Sequence, residues 1–211
     1  MTNCDQRGFT LMDTLVGLAV ALVVGGGAVT FVRAQSLALR TQATQTDVND
    51  QARGVVELMA REIRLAGLNP RCIVAPPPLS ALIVAQPQRL RIQYDRNENG
   101  ALDTSASASE DVTYQYNPET LVLQRVAGDT TSDLATGVPT NGFALKYFQS
   151  NGTEIIGTEA GNALTAAQMA AVYRISVKFE PVNAADTRLP TNARSTLWTS
   201  VLLRNVNYPC A

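Results

Sequence analysis

The sequence predicts an α+β fold in which one long N-terminal helix packs on an antiparallel β-sheet. Three observations support this prediction. Residues 14–32 form nineteen consecutive positions without a charged side chain, and apolar residues then recur at helical spacing as far as residue 66. After Pro70, apolar and polar residues alternate and turn residues become frequent, which is typical of short antiparallel strands. The roughly 145 residues beyond the helix are enough for a hydrophobic core.

The apolar stretch at residues 14–32 is long enough to cross a membrane, because a helix needs about 20 residues to span the hydrocarbon layer. A cleaved secretory signal is the competing interpretation, but such a signal ends in an A-x-A site, which Ala28 and Ala34 do not form. Asp13 lies at the edge of the stretch, where a carboxylate is costly unless it has a partner. We therefore predict one retained N-terminal span that begins with a functional acidic residue.

The chain stays helical beyond the apolar stretch, since residues 34–66 contain no proline. Apolar residues recur there in steps of three and four and form one stripe suited to packing on a sheet. The stripe consists of Val48, Ala52, Val55, Met59, Ile63 and Ala66. Gly67 and Pro70 end the helix. Three consecutive glycines at residues 25–27 have two interpretations, which are close packing between membrane helices and a weak point that bends.

Seven segments beyond the helix have the alternation and the β-branched or aromatic content of strands. They are residues 82–84, 89–94, 112–116, 121–126, 143–148, 173–179 and 197–206. Pro118, between Asn117 and Glu119, predicts a turn that joins the third and fourth segments as a hairpin. Thr165 is a suitable N-cap for a short helix that ends near residue 171.

The composition excludes most catalytic chemistry. The chain has no histidine, three cysteines without a C-x-x-C pair, and a formal net charge of −1. Histidine-dependent triads, imidazole-ligated metals and a four-ligand structural zinc site are therefore excluded. The small net charge also argues against specific nucleic-acid binding. Since the sequence contains no glycine-rich phosphate loop after a predicted strand and no nucleophile elbow, we expect a structural or binding protein and not an enzyme.

Residues 7–13 read RGFTLMD and lead into about twenty apolar residues. This pattern resembles the class III signal of type IV pilins and type II secretion pseudopilins. The resemblance implies that a prepilin peptidase cuts after Gly8 and N-methylates the new amine of Phe9, while the apolar segment is kept. One departure is Asp13, which stands where the family usually has glutamate.

Asp13 has two interpretations at this position. Cleavage after Gly8 would place an ammonium group on Phe9, one helical turn away, and the two poorly solvated charges would stabilise each other. Such pairing, within the chain or with a neighbouring subunit, would set the register of a filament. Alternatively, Asp13 acts as a cap-like residue in the first helical turn, where the helix dipole favours an acid.

The resemblance implies the pilin fold and four parts of the chain. These are a leader at residues 1–8, a membrane-spanning or filament-core half of the helix at 9–33, an amphipathic half at 34–66, and a globular α+β domain at 67–211. MAREIRLAG, at residues 59–67, further resembles the helix end of PilW-type minor pilins.

The implied function is that of a minor pilin, which primes assembly of a type IV pilus together with other minor pilins and sits at the pilus tip. Its other implied partners are the major pilin, the prepilin peptidase and the inner-membrane assembly platform. Two alternatives stay open, a surface adhesin at the tip and a GspJ-like minor pseudopilin of type II secretion.

The expected location is the inner membrane, crossed once with the C-terminal domain in the periplasm, and later the pilus on the cell surface. Charge counting weakly favours the opposite orientation, because arginines follow the span at positions 33, 40 and 53. The resemblance and the cysteines favour the periplasm.

The cysteines predict one disulfide. Cys4 lies in the leader and leaves with it, so Cys72 and Cys210 remain in the mature chain. Two cysteines in a periplasmic domain most simply form one bridge. Two unrelated buried thiols are the alternative.

Residues 95–103 contain the sharpest chemical signal of the globular part. They match D-x-[DN]-x-[DN]-G, the first half of an EF-hand-like calcium loop. Ala106 replaces the glutamate expected at the twelfth position, so Glu110 or Asp111 would have to close the site. The candidate calcium ligands are Asp95, Asn97, Asn99, Ala101 through its carbonyl oxygen, Asp103 and Glu110. The other interpretation is an Asx-rich loop whose side chains bond to the local backbone.

Overall fold

A computed structural model describes residues 10–72, 79–105, 109–181 and 196–205. The chain divides into two compact units, Met1–Thr44 and Gln45–Ala211. The predicted cleavage site at Gly8 and Phe9, the Cys4 and Cys210 side chains, and Ala106 lie outside the described residues.

Helix α1 (Leu11–Leu65) is the longest element. It continues through residues 25–27 without a break, and a side-chain carbon built on any of these glycines would meet no atom within 4 Å. The glycine triplet is thus part of an unbroken, exposed helix. Close packing between membrane helices and a weak point that bends both stay predictions.

The second half of α1 is docked through the predicted apolar stripe. Its six residues, Val48, Ala52, Val55, Met59, Ile63 and Ala66, are all buried. Gly67 ends the helix with a left-handed φ of 80°, which glycine adopts without strain. The Gly67 N–H donates to the Gln93 carbonyl at 2.8 Å, so the helix end is tied directly to a strand. The predicted stripe and stop are confirmed.

The first sheet is an antiparallel meander of five strands in the order β1-β2-β3-β4-β5. The strands are β1 (Leu82–Gln86), β2 (Arg89–Gln93), β3 (Asp111–Asn117), β4 (Val122–Ala127) and β5 (Thr130–Ala135). The predicted hairpin turn joins β3 to β4, and the Asn117 side-chain oxygen accepts the N–H of Glu119 at 2.9 Å.

The second sheet has four antiparallel strands in the order β7-β6-β8-β9. Its strands are β6 (Phe143–Phe148), β7 (Glu154–Ile155), β8 (Arg174–Phe179) and β9 (Leu197–Leu202). Helix α2 (Ala166–Ala170) precedes β8 and begins with the predicted Thr165 cap, which forms a capping box with Gln168. All seven predicted strand segments are found, and two strands, β5 and β7, were not predicted.

One hydrophobic core joins the second half of α1 to both sheets. Its largest fully buried side chains include Met59 and Ile63 from α1, Tyr114 from β3, and Phe143 and Phe179 from the second sheet. The Tyr147 hydroxyl donates to the Gln86 carbonyl at 2.8 Å, which links the two sheets. The α+β fold with a long helix packed on antiparallel strands is therefore confirmed, with two sheets where one was expected.

Candidate functional site

The first half of α1 presents an exposed apolar surface. Fourteen large apolar side chains in this part are 53–79% exposed. They are Leu11, Met12, Leu15, Val16, Leu18, Val20, Leu22, Val23, Val24, Val29, Phe31, Val32, Leu37 and Leu39. Among the described residues, α1 is the helix long and apolar enough to cross a membrane, judged by length and composition. Apolar surface of this extent marks a membrane or protein interface.

Asp13 caps the start of α1 through Thr10. Its Oδ2 accepts the Thr10 hydroxyl at 2.8 Å and the Thr10 backbone N–H at 3.1 Å. The Asp13 N–H donates in turn to the Thr10 hydroxyl oxygen at 3.3 Å. This reciprocal arrangement is a capping box with aspartate in the place of glutamate. The cap-like interpretation of Asp13 thus has a structural basis, while a role in filament register stays a prediction.

A buried ion pair fixes the second half of α1 on the first sheet. Glu62, on the docked face of the helix, is only 7% exposed. Arg125 of β4 donates to both of its oxygens, from Nη2 to Oε1 at 2.7 Å and from Nε to Oε2 at 3.1 Å. The Tyr114 hydroxyl of β3 also donates to Glu62 Oε2. A two-pronged arginine–carboxylate pair sets geometry as well as energy, so this contact selects one rotation of the helix.

The ion pair perturbs the groups around it. Burial, with the negative charge of Glu62 beside it, raises the pKa of Tyr94 to about 12. Burial and Glu62 likewise raise the pKa of Tyr114. Burial opposes the charged form of Arg125, but its hydrogen bonds to Glu62 outweigh that effect and raise the pKa of the guanidinium. Both tyrosines therefore stay protonated at neutral pH, and Tyr114 remains a hydrogen-bond donor.

Sequence reasoning missed this pair, although one signal was present. Glu62 lies three residues after Met59 and next to Ile63, so it falls on the stripe that was predicted to be buried. A lone acid on a buried face requires a partner. The partner could not be read from the sequence, because Arg125 lies 63 positions away.

The loop at residues 95–103 is ordered around two buried carboxylates, Asp95 and Glu110, which are 0% and 1% exposed. Asp95 Oδ2 accepts the Gly100 N–H at 3.1 Å. Asp95 Oδ1 is buried and has no hydrogen-bond partner among the described residues. Gly100 has a φ of 80°, and a Cβ there would lie 3.3 Å from the Arg71 side chain. A side chain at this position would therefore be strained, which favours glycine at the turn, as the motif predicts.

Glu110 holds the loop backbone through hydrogen bonds to its carboxylate. Its Oε1 accepts the N–H groups of Arg96 at 2.6 Å and Asn97 at 3.1 Å, and its Oε2 accepts the Asp103 N–H at 3.0 Å. The sequence placed Glu110 as a closing calcium ligand. In the structure both of its oxygens bond to the backbone, so Glu110 positions the loop.

The exposed rim of the loop brings together the other predicted side chains. Asp103 Oδ2 accepts the side-chain amide groups of Asn97 at 2.6 Å and Asn99 at 3.0 Å. Asn97 and Asn99 also form Asx turns with the N–H groups two residues ahead, at 3.0 and 2.8 Å. Among the described residues, no three histidine, cysteine, aspartate or glutamate side chains are placed to hold a metal. Any cation site here thus depends on amide and backbone oxygens beside Asp95 and Asp103.

Cys72 follows the helix end and is disulfide-bonded in this structure. The other two cysteines, Cys4 and Cys210, lie outside the described residues. Asn205 lies beside Gly67, since a Cβ on Gly67 would come within 2.6 Å of the Asn205 carbonyl oxygen. This contact joins the end of α1 to residue 205, which lies five positions before Cys210 in the sequence. The pairing of Cys72 with Cys210 stays a prediction.

Comparison with known protein families gives one matching family model. The family model of PpdB, prepilin peptidase-dependent protein B, matches residues 41–193, which is more than half of the sequence. The chain belongs to the PpdB family. No curated protein matches this PpdB-family sequence.

One solved structure is similar to this PpdB-family chain, the type IV-like pilin TTHA1219 from Thermus thermophilus. The two share 11% identity and a TM-score of 0.41, over 75% of this chain and 97% of that chain.

Membership of the PpdB family confirms two predictions made from the sequence. The chain is a type IV pilin-like protein, and it is a structural subunit and not an enzyme. The family and the exposed apolar helix together fit membrane anchoring and a place among pilus components. The finer resemblance to PilW-type minor pilins stays a prediction.

Proposed function

We propose that this PpdB-family protein is a minor pilin of a type IV pilus. The observation that carries the proposal is the contrast along helix α1. Its residues from 11 to 39 expose large apolar side chains, whereas its stripe from Val48 onwards is buried in the core of the second unit. Exposing an apolar helix of that length to water is unfavourable, so either lipid or the apolar helices of other subunits must cover it. In a subunit that is first held in a membrane and then packed into a filament, lipid covers the helix at first and neighbouring helices cover it later.

The proposed location follows from the same helix. The apolar half anchors the protein in the inner membrane, with the domain at residues 67–211 in the periplasm, and later packs in the filament core at the pilus tip. The proposed partners are other minor pilins, the major pilin and the inner-membrane assembly platform. The dependence on prepilin peptidase in the family's name supports that peptidase as the processing partner.

Processing at Gly8 is the first test of the proposal. We expect the protein purified from its native membrane to begin at Phe9 and to carry a methyl group on its amine, because RGFTLMD resembles the class III signal. Intact-mass and N-terminal peptide measurements would check both points. Cells that lack the prepilin peptidase are the control and should retain residues 1–8. A mature chain that begins elsewhere would contradict the proposal.

Asp13 allows its two roles to be separated in the same cells. Both bonds from Thr10 end at Oδ2, and the carbonyl of an asparagine could accept them equally well. Asp13→Asn therefore keeps the cap but removes the charge that would pair with the Phe9 ammonium. We expect this variant to be cleaved normally and to fail in filament assembly.

Asp13→Glu is the matched control, because it keeps the charge and restores the usual family residue. It should assemble. Normal assembly of Asp13→Asn would show that Asp13 serves only as a cap.

Deletion of the gene distinguishes a minor pilin that primes assembly from a tip adhesin and from a minor pseudopilin. Loss of pili supports priming by a minor pilin. Normal pili that fail to attach would indicate a tip adhesin, and normal pili with lost protein secretion would indicate a minor pseudopilin. Complementation by the full-length chain is the control in each case.

A further inference from the structure

We propose that the loop at residues 95–103 binds a calcium ion, with Asp95 as its central ligand. The observation that points to a ligand is the Asp95 carboxylate. Its side chain is directed into the loop, where Oδ2 accepts the Gly100 N–H, and it is 0% exposed. Its other oxygen, Oδ1, is buried without a hydrogen-bond partner among the described residues.

A buried charged oxygen without a partner is costly, and native proteins rarely leave one unsatisfied. A cation at Oδ1 would supply the missing partner.

The neighbouring groups are oxygen donors of the kind that calcium prefers. Asn97, Asn99 and Asp103 lie on the rim of the same loop, where both amide nitrogens donate to Asp103 Oδ2. The two amide oxygens each accept one backbone N–H, and each keeps a second lone pair for a cation. Ala101 adds a backbone carbonyl at the position where EF-hand loops use one. Together with Asp95 these residues offer two carboxylates, two amides and a carbonyl, with no nitrogen or sulfur ligand among them.

The loop is held in place before any ion binds. Glu110 accepts three backbone N–H groups from it, and the Asp95 N–H donates to the Leu68 carbonyl at 2.8 Å. Leu68 follows the end of α1, so the loop is attached to the helix end as well as to the first sheet. Glu110 is thus a positioning residue, and an ion at Asp95 would stabilise the junction between helix and sheet.

The donor set favours calcium over magnesium. Calcium accepts six to eight oxygen ligands in flexible geometry, whereas magnesium needs a near-ideal octahedron and releases water reluctantly. With two carboxylates and no bidentate glutamate, the affinity should resemble that of extracellular modules, with a Kd of about 10⁻⁴–10⁻³ M.

The test uses the full-length chain in detergent, with calcium chloride alone as the probe. Binding to the folded state raises the melting temperature by mass action. At 10 mM calcium and the affinity given above, we expect a rise of about 3–10 °C relative to chelator. Magnesium chloride at the same concentration should give a much smaller shift. An unchanged melting temperature in calcium would overturn the proposal.

Two variants and a control assign the effect to the loop. Asp95→Asn and Asp103→Asn should each remove most of the calcium shift. Asp129→Asn, an exposed aspartate in the turn between β4 and β5, should keep it. An equal shift in all three variants would overturn the assignment to this loop.

Calorimetric titration of the wild-type chain covers the case in which Asp95→Asn does not fold. We expect one site per chain that the Asp103→Asn variant lacks. Absence of a titratable site in the wild type would overturn the proposal.

Discussion

Loss of the Glu62 charge is the sharpest test of how helix α1 is held on the sheet. Glu62→Gln keeps the shape of the side chain but leaves the Arg125 guanidinium without its counter-charge. The side chains of Arg125 and Glu62 are 22% and 9% exposed, so water replaces little of the lost interaction. Removing one partner of a buried pair costs about 3–5 kcal/mol, and the 22% exposure of Arg125 favours the lower end of that range.

The structure supplies a matched control on the surface. Lys146 and Glu154 form an ion pair at 3.1 Å, and their side chains are 44% and 40% exposed. Exposed pairs contribute about 0–1 kcal/mol, so Glu154→Gln should change stability little. A second comparison is the double variant Glu62→Met with Arg125→Met. Since apolar replacement of both partners is often neutral, it should recover much of the stability lost in Glu62→Gln.

Thermal unfolding of the full-length protein in detergent measures all three variants at neutral pH. For a chain of this size, each kcal/mol lowers the melting temperature by about 2–4 °C. We therefore expect Glu62→Gln to melt about 6–20 °C below the wild type, and Glu154→Gln to melt within about 4 °C of it. A loss in Glu62→Gln no larger than that in Glu154→Gln would refute the claim that the buried pair anchors the helix.

Two further predictions concern pH and the disulfide. Because the pKa of Tyr94 is raised to about 12, its contribution to stability is complete below its unfolded pKa of about 10 and is lost as pH rises through 12. Between pH 8 and 12, the melting temperature should therefore fall less steeply with pH for Tyr94→Phe than for the wild type. Tyr173→Phe, which changes a half-exposed tyrosine, is the control, and identical slopes for Tyr94→Phe and the wild type would contradict this prediction. Non-reducing peptide mapping of the mature protein should give one Cys72–Cys210 crosslink, which closes a loop of about 139 residues and contributes about 4–5 kcal/mol in the chain-entropy model; free thiols at both positions, or a bridge from Cys72 to any other residue, would exclude the pairing.

In the candidate calcium loop at residues 95–103, the sequence motif predicted some of the residue roles but not all of them. The spacing of Asp95, Asn97 and Asn99 and the need for Gly100 were visible in the sequence, because turn chemistry is local. The role of Glu110 was not. Its bonds to Arg96 and Asn97 cross 14 and 13 positions and depend on where β3 begins.

The sequence by itself determined the elements whose signals are local. The exposed apolar half of α1, the buried stripe from Val48, the stop at Gly67 and the Thr165 cap follow from periodicity and end chemistry, which act over a few residues. Strand β5 escaped prediction because most of its side chains are polar and exposed, so it lacks the apolar alternation that marks a half-buried strand.

Tertiary structure alone decided how those elements meet. Among the described residues, the division of the strands into two sheets and the pairing of Glu62 with Arg125 and Tyr114 join residues far apart in the chain. Period-two alternation shows that a strand has a buried face, but it does not show which strand or helix covers that face. Which strand or helix covers a given face depends on the packing of the whole core. There, a buried carboxylate such as Glu62 is stable only if another element places a hydrogen-bond donor beside it.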